Sequence, residues 1–271
     1  MGKIKEAVKF INQKTNNFKA TIGIILGTGL GGLVEDIAID FFINYEDIPH
    51  FPLSTVEGHS GRLIFGQLSG RNVIVMQGRF HYYEGYNMKQ VTFPVRVMKP
   101  LGIEQLIVSN VSGSTNASIN KGDLVFIKDH IYLQYENPLT GKNLDEFGPR
   151  FPDMSQPYSL RLIEKAEKIA KQNNFNHHRG VYASVPGPNL ETKAEYNYIN
   201  IIGGDIVGMS TAPEVIVAVH CGLEVFSISV VTDKNFPIEE VAPVTVEEVI
   251  AIALQAEPKM TTVVKGLIKD M

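Results

Sequence analysis

The sequence predicts an α/β fold, a single domain over residues 1–271 with a central mixed β-sheet flanked by helices. Three observations lead there. Short apolar runs bounded by glycine, proline or polar turns alternate with segments whose apolar residues recur at helical spacing. Ser69-Gly70 links two β-rich runs as a hairpin would, which puts an antiparallel pair inside the sheet. The 271 residues are 44% hydrophobic and 20% charged, with no repeat, low-complexity tract or charge block to mark a linker, so one large core is expected.

Ile4, Ala7, Val8 and Ile11 define one face of an opening helix. Ile22 to Leu26 reads as a buried strand running into Gly27. Residues 63–68 and 72–76 form the hairpin. Residues 88–101 are helix-like but contain Pro94, which predicts a kink or a late start. Further strands are expected at 105–111, 123–127, 181–185, 206–208 and 224–231, alternating with helices at 159–172, 194–201, 213–221 and after Thr245. Residues 136–157 read as a long loop, a length usually reserved for function or for contact with a neighbour.

A formal net charge of −4 removes any general pull toward nucleic acid or an anionic membrane, so anion binding here must be local. No apolar run approaches the roughly 20 residues that cross a bilayer. The chain has one cysteine, Cys221, in an apolar run where a buried structural thiol is expected. A reducing, cytoplasmic setting is the expectation.

Gly78-Arg79-Phe80-His81-Tyr82-Tyr83-Glu84-Gly85 places an arginine and a histidine two residues apart, on one face of extended backbone, directly after a strand. A fixed cation beside a titratable ring suits an oxyanion such as phosphate. Gly27-Thr28-Gly29-Leu30-Gly31-Gly32 follows another strand, where converging backbone N–H groups and the Thr28 hydroxyl form a plausible phosphate cradle. Gly27, Gly29 and Gly32 also satisfy a dinucleotide fingerprint, with Asp47 near the ribose-acid distance. The moderately helical segment after Gly32 and the position of Asp47 away from a clear strand end weaken that match. His59 sits in a second glycine-bracketed loop. Polar residues at the ends of the strands near residues 109–114, 187–192 and 207–211 join these loops in one composite pocket, since α/β sheets present ligands at strand carboxyl ends.

Five ordered motifs, residues 27–31, 58–62, 78–86, 187–192 and 208–215, make the chain resemble the trimeric purine nucleoside phosphorylases over nearly its whole length. The resemblance implies a nucleoside phosphorylase-like fold, a homotrimer, and phosphorolysis of purine nucleosides with inorganic phosphate as co-substrate and neither metal nor organic cofactor. It assigns phosphate contact to Thr28, His59, Arg79, His81 and Ser210, with the backbone at Val111. It puts Tyr83 and Met209 at the ribose, and Phe151 in a neighbouring subunit's site. Glu191 receives the N1 edge of the purine, while Tyr182, Leu190 and Val207 wall the base; Asp233, Glu191 and His81 are the implied catalytic groups.

Two positions depart from the family's pattern. Asp233 stands where enzymes specific for 6-oxopurines carry asparagine, and Val246 where a histidine usually approaches the ribose 5′-hydroxyl. An ionised Asp233 only accepts hydrogen bonds, which suits the adenine amino group, whereas a protonated one donates to N7 or O6. Both departures point to an alternative, 5′-methylthioadenosine phosphorylase with a 6-aminopurine preference. A non-catalytic nucleoside-binding protein and a dinucleotide-dependent enzyme are the remaining readings.

Overall fold

A computed structural model describes residues 1–53 and 60–271. In chain order the elements are α1 (Gly2–Lys14), β1 (Ile22–Leu26), β2 (Ala38–Asn44), β3 (Arg62–Leu68), β4 (Arg71–Gln77), α2 (Met88–Val91), α3 (Phe93–Leu101), β5 (Gln105–Ser114), β6 (Leu124–Tyr132), α4 (Leu160–Gln172), β7 (His177–Ser184), α5 (Lys193–Ile201), β8 (Ile206–Gly208), α6 (Ala212–His220), β9 (Glu224–Lys234) and α7 (Val246–Lys269). The nine strands among the described residues form one mixed sheet in the order β2-β3-β4-β1-β5-β8-β7-β6-β9, with β5 also paired to β9.

That extra pairing divides the sheet in two. β1 pairs in parallel with β5 through residues 105–108 and then ends, and the freed edge of β5 takes β8 antiparallel at Gly113 and Ser114. On its other side β5 runs parallel to β9 over its full length. Strands β5, β8, β7, β6 and β9 therefore close a ring, and β1, β4, β3 and β2 extend from it as an open sheet.

Local chemistry accounts for most boundaries. The β3–β4 hairpin turns through Ser69 at φ 52° and Gly70 at φ 78°, the two positive angles of a type I′ turn. The proline-bearing segment breaks at Thr92 into α2 and α3, with Pro94 in the first turn of the second helix, where its missing N–H costs nothing. Ser159 caps α4, and Thr192 with Glu195 and Thr245 with Glu248 form capping boxes at α5 and α7. Helix α7 buries Ala253, Ala256, Met260, Val263, Val264, Leu267 and Ile268. No helix among the described residues is long and apolar enough to cross a membrane.

Strand β2 has no counterpart in the sequence reading. It lies on the sheet edge with Ile39 and Phe42 exposed, so its apolar residues do not follow a buried pattern. The ring strands also run further than their apolar runs predict: β5 to Ser114, β6 to Tyr132 and β9 to Lys234.

Candidate active site

The carboxyl ends of β1, β4, β5, β8 and β9 open on a single cavity. It brings together Thr28, Arg79, His81, Tyr83, Val111, Leu190, Glu191, Val207, Met209, Ser210 and Asp233, eleven of the residues singled out in the sequence.

Arg79 anchors one end. It is buried, and Nη1 donates to Ser210 Oγ at 2.7 Å and to Thr211 Oγ1 at 3.1 Å, while Nη2 donates to Ser109 O at 2.6 Å. Its Nε lies 3.7 Å from Glu214 Oε1 on α6. Asn110 Nδ2 also donates to Thr211 Oγ1, at 2.8 Å. These contacts hold Thr211 at φ 67°, an unfavourable angle for a β-branched residue, at the N-terminus of α6. The result is a guanidinium, a serine hydroxyl and a helix N-terminus on one wall, a set matched to an anion.

His81 is fixed by Glu84, whose Oε1 accepts from the His81 backbone N–H at 2.7 Å and lies 3.0 Å from Nδ1. These contacts fix the orientation of the imidazole at the cavity wall. Burial pushes the imidazole below its usual pKa, with Glu84 pulling it back up. The ring stacks on Tyr83 at 4.7 Å between centroids, and burial pushes the Tyr83 phenol up to about 12, so that hydroxyl stays neutral.

The other end carries two carboxyl groups, Glu191 and Asp233, beside Leu190, Val207 and Met209. Burial raises the Glu191 pKa, and the charge of Asp233 adds to it. Asp233 Oδ1 accepts from Thr232 Oγ1 at 2.9 Å, and Oδ2 accepts from the buried Asn235 amide.

Three expected site residues lie elsewhere among the described residues. Tyr182 is fully buried behind β8 rather than walling the cavity, where its hydroxyl accepts from Ser210 N at 3.2 Å; it supports the wall from behind. Val246 is the first residue of α7 and 64% exposed, and Val249, one turn on, lines the cavity. Phe151 is 86% exposed, in a separate surface hollow with Tyr132, Leu139 and Pro152. His59 lies outside the described residues. Residues the sequence reading assigned no role include Asn110, Thr211, Glu214 and Asn235. Asn110 and Thr211 stand in strand ends already marked by their polar residues, whereas Glu214 meets Arg79, far off in sequence, and Asn235 meets Asp233 two positions away.

The family model described as "Phosphorylase superfamily" matches residues 21–269. Purine nucleoside phosphorylase 1 of Geobacillus stearothermophilus is 48% identical over 268 residues, 99% of this chain and 97% of its own. The chain belongs to the phosphorylase superfamily. Within that family, the Bos taurus purine nucleoside phosphorylase is 46% identical over 256 residues, 92% of this chain and 89% of its own. Solved structures of Schistosoma mansoni purine nucleoside phosphorylase superpose on the phosphorylase fold described above. The complex with adenosine does so at a TM-score of 0.93, with 42% identity and coverage of 100% of this chain and 98% of that one. The inosine complex has a TM-score of 0.94 and 42% identity, covering 100% and 97%.

Proposed function

We propose that the protein is a purine nucleoside phosphorylase, transferring the ribosyl group of a purine (deoxy)ribonucleoside to inorganic phosphate, with no other cofactor. The observation that carries this reading is one cavity with an anion-binding wall of Arg79, Ser210 and the α6 N-terminus at one end and a hydrogen-bonding purine edge, Glu191 and Asp233, at the other. Phosphate held by Thr28, Arg79, His81, Ser210 and the Val111 backbone attacks C1′ as the C1′–N9 bond breaks. Ribose 1-phosphate forms, and the base leaves with negative charge that the groups at its edge disperse. Tyr83 and Met209 hold the sugar between.

The working form is a homotrimer in which Phe151 reaches a neighbour's sugar. Its 86% exposure, on a long loop that leaves it outside its own cavity, supports that role. The apolar Val249 in the lining favours a second reading, 5′-methylthioadenosine as the preferred nucleoside. A panel of adenosine, inosine, guanosine and 5′-methylthioadenosine assayed with and without phosphate tests both readings. Base release is expected to require phosphate. Equal release without it overturns phosphorolysis, and an inosine preference of more than about 100-fold over 5′-methylthioadenosine removes the second reading.

A further inference from the structure

The clamp on Asp233 is built with unusual care. The ladder between β5 and β9 shifts register between Ser112 and Gly113, so that Ser112 faces Val231 while Gly113 faces Asp233. Such a bulge re-aims a side chain, and here it sets Thr232 and Asp233 side by side at the cavity. Thr232 Oγ1 donates to Asp233 Oδ1 at 2.9 Å. Asn235 is held by its backbone N–H, which donates to Ser114 O at 2.8 Å, and its side-chain Nδ2 donates to Asp233 Oδ2. Both groups pack over a bare glycine: a β-carbon on Gly113 would lie 2.5 Å from Asp233 Oδ2 and from Asn235 Nδ2. Asn235 is 1% exposed and does not line the cavity, so it acts through Asp233.

We propose that Asn235, together with Thr232, is a specificity-positioning residue that presents Asp233 to the base as a hydrogen-bond acceptor and so selects purines bearing a 6-amino group over 6-oxopurines. The inference rests on the nucleoside phosphorylase reading above. With a donor on each carboxyl oxygen, the lone pairs left over accept an exocyclic amino N–H and oppose the lone pairs of a 6-oxo group. The donors also remove rotation of the carboxyl as an escape, since turning it would leave the buried Asn235 amide unsatisfied.

The test is kcat/KM for adenosine against inosine with saturating phosphate, in the unaltered enzyme and in Asn235→Ala, Thr232→Val and Asp233→Asn. The unaltered enzyme is expected to favour adenosine by about tenfold or more. Asn235→Ala is expected to cut that ratio about tenfold by raising KM for adenosine, with KM for phosphate unchanged. Asp233→Asn, whose amide can donate to O6, is expected to move the ratio toward inosine. In the Asp233→Asn background, Asn235→Ala is expected to leave the ratio where it is, because the two residues act as a unit. If Asn235→Ala does not fold, Thr232→Val reads the same loss from the other oxygen. An unaltered enzyme that favours inosine overturns the proposal, as does a ratio that stays constant in both donor variants. Affinity for free adenine against hypoxanthine, measured by calorimetry without phosphate, separates this proposal from phosphorolysis. An adenine preference that weakens in Asn235→Ala supports the clamp even if no phosphate-dependent turnover occurs.

Discussion

At Gly27 the chain has no room for a side chain. A β-carbon there would stand 2.9 Å from Asn110 Cα and from Ser109 O, backbone atoms of β5 that cannot step aside. The Gly27 N–H donates to Ser109 Oγ at 3.2 Å, and the same hydroxyl donates to Ile25 O, which ties the first glycine of the loop to the strand beneath Arg79. Gly27→Ala is therefore expected to destabilise the fold by about 1–3 kcal/mol, the usual range for forcing atoms into a packed site. A urea melt reads the loss, and an unchanged midpoint would show that β1 and β5 can part without cost. Close approaches of this kind explain why the glycines looked like a dinucleotide fingerprint in sequence. Gly27 is set by contact with β5, whereas the Gly29 position abuts Ala253 and the Gly32 position the Glu257 carboxylate, both on α7.

Among the elements, the strands were legible where both faces are buried, as in β1, and their far ends were not. Beyond Val111 in β5 and Val231 in β9 the residues turn polar while the ladder continues, because those ends serve the cavity rather than the core. Sequence therefore read the polar tips as facing a pocket and cut the strands short for the same reason. Edge strand β2 escaped because only one side of it meets the core, and Asn235 escaped because its partner is another side chain rather than a motif. The opposite, amino end of β9 carries a different device. Glu224 accepts from Ser159 Oγ at 2.6 Å, from Gln105 Nε2 at 2.8 Å and from Arg161 through both carboxylate oxygens, joining β9, β5 and the start of α4. Burial works to raise its pKa, but these hydrogen bonds outweigh burial and pull it to about 2. A carboxylate lowered in the folded state stabilises the fold above its unfolded pKa, and that contribution is lost as pH falls from about 4.3 toward 2. Glu224→Gln is expected to cost about 1 kcal/mol near neutral pH, limited by its one-third exposure, and to cost nothing near pH 2. Thermal melts across that range check it, and a penalty independent of pH would contradict it.

Taken as one body, the chain assembles its pocket largely from strand ends and places Phe151 outside it, on the surface. If a neighbour's Phe151 completes each sugar site, activity per protomer falls on dilution as subunits part, and Phe151→Ala raises KM for the nucleoside about tenfold while leaving KM for phosphate in place. Turnover measured across a dilution series alongside sedimentation reads both, and dilution-proof activity in a dissociated protomer would remove the shared site. The spacing between the arginine wall and the Asp233 clamp, in contrast, is set along a single strand. Asn110, bound into the arginine wall through Thr211, and Gly113, beneath the Asp233 clamp, are three positions apart on β5, a strand paired on both sides. At about 3.3 Å per residue they stand roughly 10 Å apart. β5 is thus a ruler laid between the arginine wall and the Asp233 clamp: if phosphate and base occupy those two places, as proposed, a ring-expanded purine is expected to be refused on length, which a binding titration checks.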